Sequence, residues 1–266
     1  MTGTFTVRRT RLLAERVAAI SDLYLDVMEH AGGPVDLVKW FAHPIAALTI
    51  CELLGVPDAD RDRFQCLVTE LATDLGDPDL PRSTRVEAGV AAFEETRDYM
   101  RNLVAAKRTE PADDLLADLT RADVRDEELA RTATLLLIGG FEISAHMLTL
   151  SAFGLLRDPE QCATLRTDPE RAAEELLRYV TVPPTTTRFT HGIHGRLGRQ
   201  LAGLELRIAL PALITRFPGL RLTVPAEEVR MRPAGAGGRA VQWLPVTWQA
   251  GQYDWSSMRC PSGSRR

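Results

Sequence analysis

A seven-residue apolar run, Leu135 to Phe141 (Leu-Leu-Leu-Ile-Gly-Gly-Phe), places the strongest constraint on the fold. As a helix, this run is apolar on every side, and a helix of that kind must be buried on every side. The chain therefore has to supply other elements that surround it. We expect a core that is built around one central helix.

The residues before this run predict a series of amphipathic helices. From Val7 to His30, apolar residues recur at three- and four-residue spacing, and the pattern stops at Gly32-Gly33-Pro34. A second helix is predicted from Asp36 to Leu54, interrupted by Pro44, and a third from Arg85 to Lys107. The N-terminal half is thus predicted to be helical.

Composition limits the classes of function. The chain has 266 residues, of which 45% are hydrophobic and 26% charged, as in soluble proteins with a sizeable core. The net charge of -4 argues against general nucleic-acid binding. Without an apolar run of 18 residues or a signal-peptide pattern, we expect a cytoplasmic protein with no membrane partner. His30 and His43 are predicted to be helix-end or surface residues. Four cysteines lack metal-site spacing and are expected to be isolated thiols: Cys51, Cys66, Cys162 and Cys260.

The segment from Phe189 to Gly198 (Phe-Thr-His-Gly-Ile-His-Gly-Arg-Leu-Gly) carries the most specific motif. Phe189, Gly192 and Gly198 keep the register of the pattern F-x-x-G-x-x-x-C-x-G, and His194 stands two residues before the cysteine position. This pattern resembles the heme-ligand loop of the cytochrome P450 family, the heme-thiolate monooxygenases. The residue at the ligand position is Arg196.

Arg196 conflicts with the chemistry of that loop. A thiolate on the iron pushes electron density toward bound dioxygen and promotes O–O cleavage. A guanidinium stays protonated and offers only donors, so it cannot be an axial ligand. The resemblance implies heme as the cofactor, whereas Arg196 argues against heme binding by this chain. By resemblance, eight residues would contact heme: Gly139, Gly140, Arg188, Phe189, Gly192, His194, Arg196 and Gly198.

The central apolar run also resembles the family's helix over the distal face of the heme, with the pattern [AG]-G-x-[DE]-T-[TS]. Four residues match this pattern: Gly139, Gly140, Glu142 and Ser144. In the family, an acid–alcohol pair relays protons to iron-bound oxygen. Ile143 stands at the threonine position and has no proton to relay. Ser144 is displaced from that position by about 100° around the helix, so Glu142 and Ser144 form a degenerate pair.

Glu175 and Arg178 resemble the E-x-x-R pair of the family. Their i,i+3 spacing puts them on one helix face, where they can pair. In the family the pair is buried and completed by an arginine from a later segment, which is absent here because Phe189 follows Arg188 directly. A buried pair without its third member leaves poorly compensated charge. We assign the pair a structural role and expect Glu175→Ala to reduce soluble yield more than Glu128→Ala.

The resemblance extends to the end of the domain. Arg199 to Pro218 resembles the helix after the ligand loop, while the N-terminal match begins at Phe5, inside the family's third helix region. The block before that point, with its heme-propionate contacts, is therefore expected to be missing. Three segments resemble the closing strands: Leu220 to Pro225, Val229 to Pro233 and Trp243 to Trp248. We predict a mainly α fold with minor β, an incomplete cytochrome P450-type domain at residues 1–248, and a disordered tail at residues 249–266.

Three functional hypotheses follow from the resemblance. The family carries out heme- and O2-dependent monooxygenation of small organic substrates, and the first hypothesis is a member that has lost this activity. The second is a non-catalytic auxiliary protein that partners a glycosyltransferase in secondary metabolism, as cysteine-less relatives do. The third is a weak heme protein with a substitute ligand such as His194, which a ferredoxin or flavoprotein would reduce.

A surviving role is predicted to be a binding role under the first two hypotheses. The missing elements would leave apolar faces uncovered, and large uncovered apolar faces need a partner. We therefore expect the chain to be soluble only with a partner.

Overall fold

The structure is a computed structural model that describes residues 7–67, 81–110, 112–179, 193–235 and 238–249. Helices dominate it, which confirms the predicted mainly α class. Residues 61–67 are helical as well, and a π-helical turn spans Val38–Ala42. The main helices are α1 (Val7–Ala31), α2 (His43–Leu54), α3 (Arg82–Thr109), α4 (Leu115–Thr120), α5 (Asp126–Arg157), α6 (Pro159–Thr167), α7 (Pro169–Tyr179) and α8 (Ile193–Arg216).

The first predicted helix is confirmed as α1. Its buried residues recur at helical spacing, among them Leu13, Val17 and Met28. The helix ends where Gly32 adopts a positive φ of 71° and its N–H donates to the Met28 carbonyl at 3.1 Å. Glycine carries no Cβ, so it takes this conformation without steric strain.

The second predicted helix, Asp36 to Leu54, is wrong in its first half. The buried Asp36 carboxyl accepts the backbone N–H groups of Val38, at 3.2 Å, and Leu244, at 3.0 Å. These side-chain bonds compete with helical bonds, and the chain forms a short strand and the π-helical turn before α2. Pro44 does not interrupt α2 but lies in its first turn, where a missing N–H costs nothing.

Two small sheets account for the β structure. In the first, a central strand pairs antiparallel with one strand on each side, in the order β1–β5–β2, and in the second β3 pairs with β4. The predicted closing strands are confirmed in position, whereas β4 was not predicted, because the glycines where β3 ends and β4 begins obscure the alternation. The strands are β1 (Val35–Asp36), β2 (Arg221–Leu222), β3 (Arg230–Gly235), β4 (Gly238–Trp243) and β5 (Pro245–Thr247).

Four helices form what we call the central bundle: α1, α2, α5 and α8. Helix α5 contacts α2 and α8, and α1 also contacts both of these, so the four helices close into a ring of contacts. Helix α3 packs against α5 from outside this ring. The buried side chains form two apolar clusters, one toward the sheets and one toward α3 and α4. The predicted central helix is therefore confirmed as α5, but its apolar run is not buried on every side, because Leu135 is 40% exposed and Gly139 faces open space.

Helix α5 is also the one helix of the described residues that is long and apolar enough to cross a membrane. Only the length and composition of α5 suggest a membrane-spanning helix. The core helix of a soluble protein passes the same test, and 61% of the apolar window of α5 is buried inside the protein. Its contacts with α2, α3 and α8 account for its apolar character.

The described residues do not present the broad apolar face that a partner-dependent chain requires. Large apolar side chains are exposed at single positions or in one-turn pairs on three helices, which is normal for a protein surface. These residues are Leu12, Leu23, Val27, Val86, Val90 and Leu135. The predicted disordered tail lies outside the described residues, except for Gln249.

Candidate functional site

Helix α8 begins earlier than predicted, inside the ligand-like segment. It starts at Ile193 rather than near Arg199, so His194, Arg196 and Gly198 belong to its first two turns. The sequence allows this because Ile193 and Leu197 continue the four-residue apolar spacing that leads to Leu201. The other candidate residues of the segment lie outside the described residues: Arg188, Phe189 and Gly192.

The two glycines of α5 have different surroundings. A Cβ on Gly139 would have nothing within 4 Å, so this position faces open space. A Cβ on Gly140 would lie 2.8 Å from Cδ1 of the buried Ile50 on α2. Gly140 thus allows α2 and α5 to approach closely. The open space at Gly139 is compatible with its predicted contact with heme. Gly140 instead lies in the contact between α2 and α5.

The structure does not bring Glu142 and Ser144 together. Residues two positions apart on a helix are separated by about 200° and do not face each other. Ser144 is fully buried, while Glu142 is half-buried beside the open face that contains Gly139. The predicted degenerate acid–alcohol pair therefore does not form, because its alcohol lies in the core.

Ser144 instead lies near a residue that the sequence analysis missed. Glu205 of α8 is 0% exposed, and its carboxyl is influenced by the hydroxyls of Ser144 on α5 and Thr49 on α2. Within the described residues, none of these side-chain oxygens has a partner at standard hydrogen-bond geometry. Burial raises the pKa of Glu205 to about 8, and the two hydroxyls lower it only in part. We call these three residues the Glu205 cluster.

A sequence signal for Glu205 exists. It lies one helical turn after Leu201 and one before Ile208, so a carboxyl occupies the apolar stripe of α8. A charged residue in such a stripe is almost never fully buried unless it is paired. Thr49 has no comparable signal in the sequence. A threonine in an apolar helix does not need a polar side chain near it, because its hydroxyl can bond to a backbone carbonyl of the same helix.

Glu175 is not buried. Its side chain is 61% exposed, and its Oε1 lies 3.5 Å from Nε of Arg171, one turn earlier on α7. The expectation of burial is therefore wrong for Glu175, since the face of α7 that carries it lies toward solvent. The face of α7 that packs inward carries Ala172, Ala173 and Leu176.

His43 is predicted to be a helix-end or surface residue, and only the first description is correct. It begins α2, but it is half-buried and meets Phe141 of α5 edge-on, with 5.3 Å between ring centroids. Burial, followed by the charge of Lys39, lowers the pKa of His43 to about 4. The neutral imidazole thus belongs to the packing of α2 on α5.

The described residues offer no cysteine that is suited to be the thiolate of a heme centre. Burial raises the pKa of Cys51 to about 12, so this thiol stays protonated, and the Cys162 thiol donates to the Leu155 carbonyl at 3.1 Å. Cys66 is exposed and lies in the helical residues 61–67 rather than near the start of α8. No group of three or more potential metal ligands occurs among the described residues. With Arg196 at the ligand position, this part of the chain offers no thiolate there.

Comparisons with known proteins agree on one family. Cytochrome P450 105C1 of a Streptomyces species is 41% identical over 302 residues, covering 92% of this chain and 77% of that protein. Pentalenic acid synthase of Streptomyces avermitilis is 36% identical over 306 residues, covering 92% and 73%. No family model matches the chain.

Solved structures give the same result. The LnmA cytochrome P450 hydroxylase from the leinamycin pathway of Streptomyces atroolivaceus has a TM-score of 0.78 and 32% identity. The match covers 92% of this chain and 76% of LnmA. The Orf6* monooxygenase involved in teicoplanin biosynthesis has a TM-score of 0.79 and 31% identity, with coverage of 92% and 78%.

Proposed function

Because the chain belongs to the cytochrome P450 family, we propose that it is a member that keeps the family's central helices without its oxygen-activating chemistry. The observation that carries this proposal is Arg196, a permanent cation at the position of the thiolate ligand. A cation that offers only donors cannot replace a thiolate in binding iron or in activating oxygen.

Two observations on the described residues support the same conclusion. Ser144, the alcohol nearest to the missing threonine, is buried near Glu205 rather than on the open face of α5. The thiols of Cys51 and Cys162 are held in the core or engaged by a backbone carbonyl. The ligand position and the proton relay thus both depart from what the family's reaction requires.

The test is a spectroscopic titration of purified chain with hemin. We expect no thiolate-type Soret band in the reduced protein with carbon monoxide, and no oxidation of test substrates when reductant is supplied. Cytochrome P450 105C1 serves as the positive control. We also expect that Arg196→Cys does not restore the band. A thiolate-type band from the unmodified chain would disprove the proposal.

The two alternative hypotheses predict different outcomes, one in the hemin titration and one in a co-expression assay. A substitute ligand such as His194 would give a hemin spectrum of the imidazole type, which His194→Ala would abolish. A glycosyltransferase partner would raise the transferase's activity on co-expression, with no dependence on hemin. No observation on the described residues favours either alternative, so both stay predictions of the sequence.

A further inference from the structure

Three helices of the central bundle meet at the Glu205 cluster. Glu205 comes from α8, Ser144 from α5 and Thr49 from α2, and all three side chains are fully buried. Within the part of the chain that the structure describes, the polar groups that influence the Glu205 carboxyl are the two hydroxyls. The cluster therefore lies where α8 is held against the other two helices.

Among the described residues, no cation balances a carboxylate at this position. On the helices that surround the cluster, Arg207 of α8 is exposed to solvent, and Glu52 of α2 is paired with Arg61 at 2.6 Å. At the far end of α8, Arg216 pairs with Asp26 and Glu29 of α1. Cys51 of α2 stays a neutral thiol, and Glu142 and His146 lie on half-exposed parts of α5.

The energetic consequence follows from solvation. An ionised carboxyl in a low-dielectric core is costly unless it is paired and hydrogen-bonded. Two hydroxyls outside standard hydrogen-bond geometry compensate only a small part of that cost. A neutral carboxylic acid can be accommodated, because it carries no net charge and can donate its proton to an oxygen of Thr49 or Ser144.

We propose that Glu205 is a neutral carboxylic acid in the folded chain and acts as a proton-dependent lock that holds α8 against α2 and α5. Ionisation of this group weakens the contact of α8 with α2 and α5 and destabilises the central bundle. The inference does not depend on heme and goes beyond the proposed loss of catalysis.

The direction in which stability changes with pH follows from the protonation of Glu205 in the folded and in the unfolded chain. Burial raises the pKa of Glu205 from 4.5 to about 8 in the folded chain. Between these values the folded chain holds a proton that the unfolded chain has released, so stability falls as pH rises. The contribution is fully present below pH 4.5 and is lost as pH rises through about 8.

Two other described groups with shifted pKa values affect stability mainly outside the range between pH 6.5 and 9. The pKa of His43 falls from 6.5 to about 4, so this residue affects stability only below pH 6.5. The pKa of Cys51 rises from 9.0 to about 12, which places its effect above pH 9. Asp36 also has a pKa that burial raises, but it lies outside the cluster at the β1–β5 pair, so a substitution at Glu205 leaves its contribution unchanged. A test should therefore compare pH values between these limits.

The experiment measures urea unfolding of the full chain across that window. We expect the unfolding constant of the unmodified chain to rise roughly tenfold per pH unit until the folded-state pKa is reached. E205Q, which is neutral at every pH, should lose the Glu205 contribution, so its unfolding constant should rise about tenfold less per pH unit than that of the unmodified chain. E175Q is the matched control, because Glu175 is 61% exposed, and it should behave like the unmodified chain. An unmodified chain with pH-independent stability in this window would overturn the proposal.

A second measurement needs no variant and covers the case in which E205Q does not fold. The chain is labelled with carboxyl-13C glutamate, and the carboxyl resonances are followed by NMR as the pH is raised. We expect one glutamate resonance to titrate about three to four pH units above the others, as buried carboxyls do. A set of glutamate resonances that all titrate in the ordinary acidic range would also overturn the proposal.

Discussion

Two side chains of α5 that are only two residues apart have opposite surroundings: one is buried in the core and the other lies on the open face. Ser144 lies in the core near Glu205, whereas Glu142 lies beside the surface that contains Gly139. At the scale of single residues, the direction in which a side chain points decides what it can do. The motif matched both residues, but the rotation of the helix assigns them to different surroundings.

Glu175 provides a prediction at this scale. Its partner Arg171 is 72% exposed, and Glu175 itself is 61% exposed. Exposed i,i+4 pairs contribute about 0.3–0.5 kcal/mol, so Glu175→Ala should change the free energy of unfolding by less than about 0.5 kcal/mol. Urea denaturation measures this change, together with soluble yield.

The chain offers a matched control for Glu175. Arg11 and Glu15 form a pair of the same spacing and similar exposure on α1, and Glu15→Ala should give the same small effect. Leu176→Ala, beside Glu175 but buried, should cost about 2–5 kcal/mol. A loss for Glu175→Ala as large as that for Leu176→Ala would show that Glu175 is buried after all.

The sequence was sufficient to identify most site residues but not their surroundings. Arg196 could be placed at the ligand position because the flanking glycines keep the register of the motif. The burial of Glu205 near Thr49 could not be predicted, because it depends on how α8 packs against α2, and the two residues are 156 positions apart. Contacts of that separation are properties of the packed bundle.

At the scale of elements, the contact between α2 and α5 depends on the absence of one methyl group. Gly140 faces Ile50, while the neighbouring Gly139 faces open space. Alanine stabilises a helix interior by roughly 0.5–1 kcal/mol relative to glycine. Gly139→Ala should therefore raise stability by about that amount.

Gly140→Ala should behave differently although it carries the same substitution. Its Cβ would lie 2.8 Å from Ile50 Cδ1 and 3.2 Å from Cγ1, and Ile50 is buried with little room to move. Overpacking of this kind costs about 1–3 kcal/mol, so Gly140→Ala should be less stable than Gly139→Ala by that order. Thermal unfolding of both variants measures the difference.

A double-mutant cycle locates the cause of this loss. Ile50→Val removes Cδ1, so the combination with Gly140→Ala should be less harmful than the sum of the single changes. Simple additivity would mean that the two side chains do not meet, and that α2 and α5 are packed differently.

The helices themselves were predictable wherever a periodic pattern was long. Helix α1 has the predicted start and ends one residue later than predicted, because its pattern runs into Gly32. The strand β1 was not predictable, since Val35 and Asp36 form it only by pairing with β5 at the other end of the chain. The start of α8 differs from the predicted one because the spacing of Ile193, Leu197 and Leu201 extends the helix into the motif.

At the scale of the whole molecule, the central bundle has its own core. Four helices contact one another in a closed ring, and the buried apolar residues of both clusters come from these helices and their neighbours. From these contacts we expect the core to form without a cofactor. The described residues thus favour a chain that folds by itself over one that requires a partner.

This conclusion predicts the behaviour of the chain expressed alone and without heme. Size-exclusion chromatography should show a compact monomer, and thermal unfolding should be a single cooperative transition. A ligand that binds only the folded state raises the melting temperature, so added hemin should leave it unchanged. Aggregation that co-expression with a partner relieves would support the partner-dependent alternative.

The bond between Asp36 and Leu244 determines when this protein can finish folding. The two residues are 208 positions apart, and β1 has no strand to pair with until β5 has been made. During synthesis, the N-terminal helices leave the ribosome first and can begin to pack. The Asp36 carboxyl stays in water until almost the last residues of the domain emerge. A nascent chain that is released early therefore keeps an unpaired strand and an ionised carboxyl at its surface. We expect such a chain to be more susceptible to proteases than the complete one.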